Sequence, residues 1–171
     1  LGNKNIIICS SGTKSKVFFK PFKKKYKLKL FFGDNKNVLG RIIKCMHQYN
    51  YKHFVRVTGD NPFTDCTAIQ KMVFSHLKKQ NDYTYTDSLP TGMRPEIFSL
   101  NALEKCYNSI ISRNSTEYLT YFFLRKDIYK IQNFNFKKNY KNQNRLNISV
   151  DYNQDLNLVK KIIKFYKGNI Y

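Results

Sequence analysis

At 171 residues and 42% hydrophobic side chains, the chain is large enough to bury one core, and a single domain over residues 1–171 is expected. No apolar run nears the roughly 18 to 20 residues of a membrane helix, and the start lacks the charged, apolar and small-residue succession of a secretory signal, so a cytoplasmic protein without a membrane partner is expected. The formal charge of +20 is the one extreme value, and it raises the question of a nucleic-acid partner.

Lysine is abundant together with asparagine, isoleucine, tyrosine and phenylalanine, whereas alanine, glycine and arginine are scarce, the signature of an A+T-biased coding sequence. The lysines concentrate in residues 14–29 and 137–141, the first interleaved with Phe18, Phe19, Phe22 and Tyr26. Basic and aromatic residues interleaved in this way can hold single-stranded nucleic acid. Compositional drift accounts for the same pattern, so a solvated face is the preferred reading and nucleic acid is not favoured as a partner. Cys9, Cys45, Cys66 and Cys106 include no Cys-x-x-Cys pair, and His47, His53 and His76 lack ligand spacing. Neither a zinc site nor a disulfide scaffold follows, and the cysteines read as small apolar residues.

The apolar run at residues 5–9 predicts a buried parallel strand that stops at Ser10-Ser11-Gly12. The lysine-rich stretch after it carries no assigned element. Residues 29–32 predict a second strand and Gly33-Asp34-Asn35 a turn. Val38, Leu39, Ile42, Ile43 and Met46 recur at helical spacing, which predicts an amphipathic helix over residues 37–49. The β-branched run at residues 54–58 predicts a strand broken by Gly59-Asp60-Asn61-Pro62, so Asp60 lies just past its carboxyl end.

Asp65 or Thr67 can cap a helix bearing Ile69, Met72, Val73, Phe74 and Leu77. Strands are expected at residues 83–85 and 96–98 around a Pro90-Thr91-Gly92 loop, with helices at 102–107 and 117–126. Residues 133–144 show no pattern. Residues 146–150 alternate as a strand does and end at Asp151; Leu156, Val159, Ile162, Ile163 and Tyr166 then share one face of a closing helix that Gly168 stops. Strands alternating with helices imply an α/β fold with a mostly parallel sheet covered on both faces, in three layers, and a site along the carboxyl ends of the strands.

Asp60 and Asp151 both fall on that edge. Two carboxylates from separate strand ends can share one Mg²⁺, a hard cation that keeps waters and substrate phosphates as its other ligands. Such a metal would neutralise a triphosphate and align an attacking hydroxyl, so no protein nucleophile is required. The competing reading gives these side chains structural work only: Asp60 fixing a turn, Asp151 and Asp155 decorating a helix start. Pattern alone leaves both readings open.

Several strings, in order along nearly the whole chain, resemble the cytidylyltransferase family that includes spore-coat polysaccharide biosynthesis proteins and synthetases of CMP-activated acidic sugars. Residues 5–11 resemble its second strand. Phe32-Gly33 through Asn37-Val38-Leu39-Gly40-Arg41 is similar to its Gly…Asp-Val-Leu-x-Arg segment, with Asn37 in place of the acid. Val55-Arg56-Val57-Thr58-Gly59-Asp60-Asn61-Pro62 is similar to its most specific string, whose aspartate ligates magnesium near the triphosphate. Pro90-Thr91-Gly92-Met93-Arg94-Pro95-Glu96-Ile97-Phe98 resembles its Pro-x-Gly-x-x-x-Glu-x-Phe stretch on the sugar side, with Arg94 where spore-coat members usually have an acid. Ser115-Thr116-Glu117-Tyr118-Leu119-Thr120 is similar to a Glu-His-x-Thr segment with tyrosine for histidine. Val150-Asp151-Tyr152-Asn153-Gln154-Asp155-Leu156 resembles the closing Val-Asp-Thr-x-x-Asp-Leu string, whose first aspartate is the second metal ligand.

The resemblance implies the Rossmann-like fold of nucleotide-diphospho-sugar transferases, without the family's first strand-helix unit, since nothing before Asn5 supplies its triphosphate-binding loop. It implies Asp60 and Asp151 as catalytic metal ligands and Arg41, Arg56, Asn61, Gly92 and Glu96 as substrate-binding residues. The activity implied is transfer of CMP from CTP to an acidic or cell-surface-polysaccharide sugar, with Mg²⁺ as cofactor and a homodimer as a state common among relatives. A glycosyltransferase of related fold and a non-catalytic nucleic-acid-binding protein are the alternatives.

Overall fold

A computed structural model describes residues 3–110, 116, 119–124, 127–136 and 146–166. The chain divides into two compact units, Leu1–Phe54 with Ser99–Asp127, and Val55–Phe98 with Ile128–Tyr171. The expected stop at Gly168 lies outside the described residues, as do residues 117, 118, 125 and 126 of the expected helix 117–126.

In the first unit, a 3₁₀ turn at Asn3–Asn5 leads into β1 (Ile7–Ser11), helix α1 (Gly12–Tyr26), β2 (Lys29–Gly33) and helix α2 (Val38–Gln48). β1 and β2 pair in parallel, Cys9 opposite Phe31 and Ser11 opposite Gly33. The β-α-β connection explains that direction, because a parallel pair needs a crossover and α1 supplies it. Helix α1 occupies the lysine-rich stretch in which the sequence reading assigned no element. Its lysines recur at like-charge i,i+4 spacing and Pro21 sits inside it, both of which oppose a helix. Phe18, Phe22 and Tyr26 offset this by forming one aromatic ladder along the helix, with ring centroids 5.6 and 6.3 Å apart at successive steps. Lys27 closes the helix in the left-handed conformation.

α2 matches the expected amphipathic helix. Asn37 is its N-cap, the side-chain oxygen accepting from Gly40 N at 2.8 Å. Leu39, Ile42, Cys45 and Met46 are buried, and in the same unit so are Ala102, Leu103 and Cys106 of α4 (Leu100–Ser109) and Leu119 and Phe123 of α5 (Leu119–Phe123). Thr116 receives a second N-terminal donor of α2, Leu39 N, on its buried hydroxyl at 3.0 Å.

The strands β3 (His53–Arg56), β4 (Tyr83–Tyr85), β5 (Glu96–Ser99) and β6 (Ile131–Asn133) form a sheet in the order β3-β5-β4-β6. β4 runs antiparallel to β5 and parallel to β6. The fold is α/β as expected, but the described strands make a mixed four-stranded sheet and a separate parallel pair. The antiparallel step arises because only a loop, not a helix, connects β4 to β5. Helix α3 (Cys66–Lys79) is capped by Asp65, which accepts from Ala68 N at 2.7 Å. Tyr83 and Phe98 are directly opposed across β4 and β5, fully buried, with rings stacked 4.6 Å apart. Residues 146–150, expected as a strand, contribute only an isolated parallel bridge between Asn147 and Thr91. Helix α6 (Asn153–Phe165) closes the chain as expected.

Candidate active site

Asp60 stands in a turn that its neighbours hold by hydrogen bonding. Asn61 N donates to Thr58 O at 3.1 Å and Asn61 Nδ2 to Thr58 Oγ1 at 2.8 Å, while Thr64 Oγ1 returns a bond to Asn61 O at 2.9 Å. The predicted binding residue Asn61 thus spends its side-chain amide on the turn. Asp60 itself is exposed, and its carbonyl accepts from Val150 N at 2.8 Å. That bond sets Asp60 beside the residue preceding Asp151, so the chain brings the two aspartate-bearing segments together.

Asp151 is also exposed, and its Oδ2 accepts from Ser149 Oγ at 2.9 Å. Asp155 has the helix-start function foreseen for it: its Oδ2 accepts from Asp151 N at 3.0 Å and Tyr152 N at 2.7 Å, fixing the start of α6. Asp155 is therefore committed to fixing the backbone that carries Asp151.

Gly92 meets the same segment. Thr91 N donates to Leu146 O at 3.0 Å and Ile148 N to Thr91 O at 2.9 Å, pinning the loop onto residues 146–150. Gly92 has φ +93°, and a Cβ on it would lie 2.6 Å from Ser149 N and 2.7 Å from Ile148 C. Only glycine meets both the conformation and the contact, so its placement beside the Asp151 segment rests on the absence of a side chain.

Arg56 and Glu96 meet each other. Arg56 Nη1 donates to Glu96 Oε2 at 2.6 Å, and Tyr83 OH donates to Glu96 Oε1 at 2.6 Å, so both carboxylate oxygens are engaged within the sheet. Tyr83 was missed by sequence reasoning; its signal was a tyrosine at an inward strand position, where a buried hydroxyl needs an acceptor. Arg94 Nε donates to Leu89 O at 2.6 Å, tying the loop between β4 and β5 to itself.

Arg41 belongs to the first unit. Its Nη1 donates to Asp34 O at 2.6 Å, its chain passes over Gly33, and its Nε is buried without a hydrogen-bond partner among the described residues. Asp34 in turn accepts from Asn37 N at 2.7 Å and Lys36 N at 2.8 Å, and these donors hold its carboxyl below the usual range. Sequence reasoning also missed Thr116 as a hydrogen-bond acceptor for α2, because the pairing spans a gap that no local pattern encodes. An open cleft of about 450 Å³ in this unit, lined by Met46, His47, Lys52, Asn101 and Glu104 among others, contains none of the predicted site residues.

Among the described residues no three His, Cys, Asp or Glu side chains gather to hold a metal. The oxygen-only pair of Asp60 and Asp151 fits a magnesium ion, which commonly takes one or two carboxylates and completes its shell with water and phosphate oxygens. No described helix is long and apolar enough to cross a membrane.

Similarity to known proteins bears on the family and the fold of the chain. The chain is 33% identical over 103 residues to the uncharacterized protein MJ1063 of Methanocaldococcus jannaschii, covering 60% of this chain and 42% of that protein. It is 29% identical over 99 residues to the spore coat polysaccharide biosynthesis protein SpsF of Bacillus subtilis, covering 58% and 41%. The chain thus spans about two-fifths of the length of these curated relatives. A cytidylyltransferase structure from Leptospira borgpetersenii superposes with a TM-score of 0.85 at 21% identity, over 95% of this chain and 69% of that one, a likeness of fold. The cytidylyltransferase family model matches residues 5–171, nearly every position read above, and the chain belongs to that family.

Proposed function

We propose that this chain serves nucleotidyl transfer, moving CMP from CTP onto an acidic or cell-surface-polysaccharide sugar in the cytoplasm. A sugar hydroxyl attacks the α-phosphorus, the α–β phosphoanhydride bond breaks, and pyrophosphate leaves. The observation that carries the reading is the 2.8 Å bond from Val150 N to Asp60 O, which joins the turn bearing Asp60 to the segment bearing Asp151. Family membership and the likeness to SpsF support the nucleotide and the polysaccharide setting.

Asp60 and Asp151 would hold Mg²⁺, whose charge would offset that of the triphosphate. Asp155 and Ser149 keep the Asp151 segment oriented, and Gly92 lets the Pro90–Met93 turn approach it without a side chain between. Arg56 and Tyr83 hold Glu96 in one orientation at the strand that follows this loop, which suits a carboxylate that positions the sugar-side wall. Asn61 keeps the Asp60 turn closed.

The test is pyrophosphate release from CTP by the full-length protein with Mg²⁺ and an acidic sugar. Asp60→Asn keeps the size of the side chain and removes its charge, and turnover is expected to fall at least about 100-fold. Retained turnover would overturn the metal assignment; hydrolysis of a nucleotide sugar without CTP consumption would move the chain to the glycosyltransferase reading.

A further inference from the structure

Helix α1 packs on β1 and β2, with Ser15 and Phe19 half-buried and every other described residue of the helix exposed. Val17 with Pro21, and Phe18 with Phe22, lie in adjacent rows at steps of four, so the four side chains make one continuous apolar strip along the helix. Val17 is 72% and Phe18 63% exposed, so the strip is not packed against the helix's own sheet. Lys14, Lys16, Lys20, Lys23, Lys24 and Lys25 surround it, all exposed, and the helix contains no Asp or Glu. An open groove of about 960 Å³ runs beside the strip, lined by Val17, Pro21 and four of these lysines.

We propose that this strip of α1 docks the protein on an anionic lipid surface, with Val17, Phe18, Pro21 and Phe22 entering the boundary between headgroups and acyl chains and the lysines lying against the lipid phosphates. Binding of such a helix grows with the apolar area it buries and with its attraction to anionic lipid, and α1 presents both. Its six lysines match the size of basic cluster that anionic headgroups attract. The helix lies along the surface rather than across the bilayer, because it has 15 residues and no described helix is long and apolar enough to cross a membrane. Single-stranded nucleic acid shares the charge complementarity but not the fit to the rings. Its bases stack on free ring faces, whereas Phe22 stacks on Tyr26 at 6.3 Å, and Phe18 meets Phe22 at 5.6 Å and Phe19 edge-on at 5.0 Å. Val17 and Pro21 offer no π face, and the helix has no arginine to grip a phosphate with two donors. The inference is independent of the nucleotidyl-transfer reading, and its test does not use activity.

The chain contains no tryptophan, so Phe18→Trp places the sole indole on the strip. This variant and the unsubstituted protein are each mixed with phosphatidylcholine vesicles holding about 30% phosphatidylglycerol, and with vesicles of phosphatidylcholine alone. Both proteins should sediment with the anionic vesicles, and the indole emission should shift to the blue. Neutral vesicles should bind at least about 10-fold more weakly, and raising salt from about 50 to about 500 mM should release most of the bound protein. Phe18→Ser, with unchanged circular dichroism, should bind anionic vesicles at least about threefold more weakly. Failure of the unsubstituted protein to sediment with anionic vesicles would overturn the proposal. Binding that leaves the indole emission unchanged, or that Phe18→Ser leaves intact, would overturn it as well, because another surface would then hold the lipid. A single-stranded oligonucleotide of about 20 residues that displaces the vesicles and binds more tightly than they do would overturn it in favour of nucleic acid.

Discussion

The two sheets begin from the same kind of sequence and end at different depths. β1 and β2 carry Ile7, Ile8, Cys9, Leu30, Phe31 and Phe32, as apolar as anything in the chain, yet every residue in them is only half-buried. β4 and β5 carry two tyrosines, two threonine or serine residues and a glutamate, yet Tyr83, Thr84, Ile97, Phe98 and Ser99 are all buried. The difference lies in what flanks each strand. A pair of strands has no interior member, whereas β4 and β5 each have a strand on both sides. Their polar atoms are reconciled with burial by partners: Tyr83 OH on Glu96, and Thr84 Oγ1 beside His76 Nδ1 at 2.9 Å and Asn81 Nδ2 at 3.2 Å. Apolar composition therefore marks a strand, and its neighbours set how deep the strand lies.

Three substitutions test that contrast, in descending order of effect. Phe98→Ala removes a fully buried ring stacked on Tyr83 and should destabilise the second unit by about 3 to 5 kcal/mol, read as a lowered urea midpoint. A loss below about 1 kcal/mol would mean that the sheet interior collapses around the gap, and the contrast would fail. Asp65→Ala leaves the core intact and removes the acceptor for Ala68 N, so about 1 kcal/mol is expected, with a smaller helical signal as α3 frays in circular dichroism. Phe18→Ser alters a side chain that is 63% exposed on α1, and its cost should stay within about 0.5 kcal/mol. A cost approaching that of Phe98→Ala would show that this aromatic face is covered in solution, and would sharpen the comparison into a question about what covers it.

Legibility followed the range of the interactions involved. α2, α3 and α6 could be read because amphipathic spacing and a capping residue lie within one or two turns: Asn37 before α2, Asp65 before α3, Asp155 in the first turn of α6. α1 was obscured because lysines fill the positions between its aromatics; Phe18, Phe22 and Tyr26 at steps of four were the signal that could have found it. Residues 146–150 alternate as a strand does but form one bridge, because alternation encodes a two-faced extended segment and not the presence of a strand to pair with.

The candidate site divides in the same way. Asp60 and Asp151 could be picked out because each ends an apolar run, and the Asp60 turn followed from Gly59 and Pro62. That Asp60 O meets Val150 N, that Gly92 presses on Ser149, and that Arg56 and Tyr83 both close on Glu96 join residues from 13 to 90 positions apart, which no local pattern carries.

From its sequence alone this protein had most of its element types, the starts of α2, α3 and α6, and its α/β class, because backbone propensity, periodicity and capping act over a few residues. Tertiary structure alone decided the mixed strand order, the depth of each strand and the commitment of Glu96 to its neighbours. Those depend on which distant surfaces exclude water from each other, and on which donors and acceptors are thereby left to find partners across the chain.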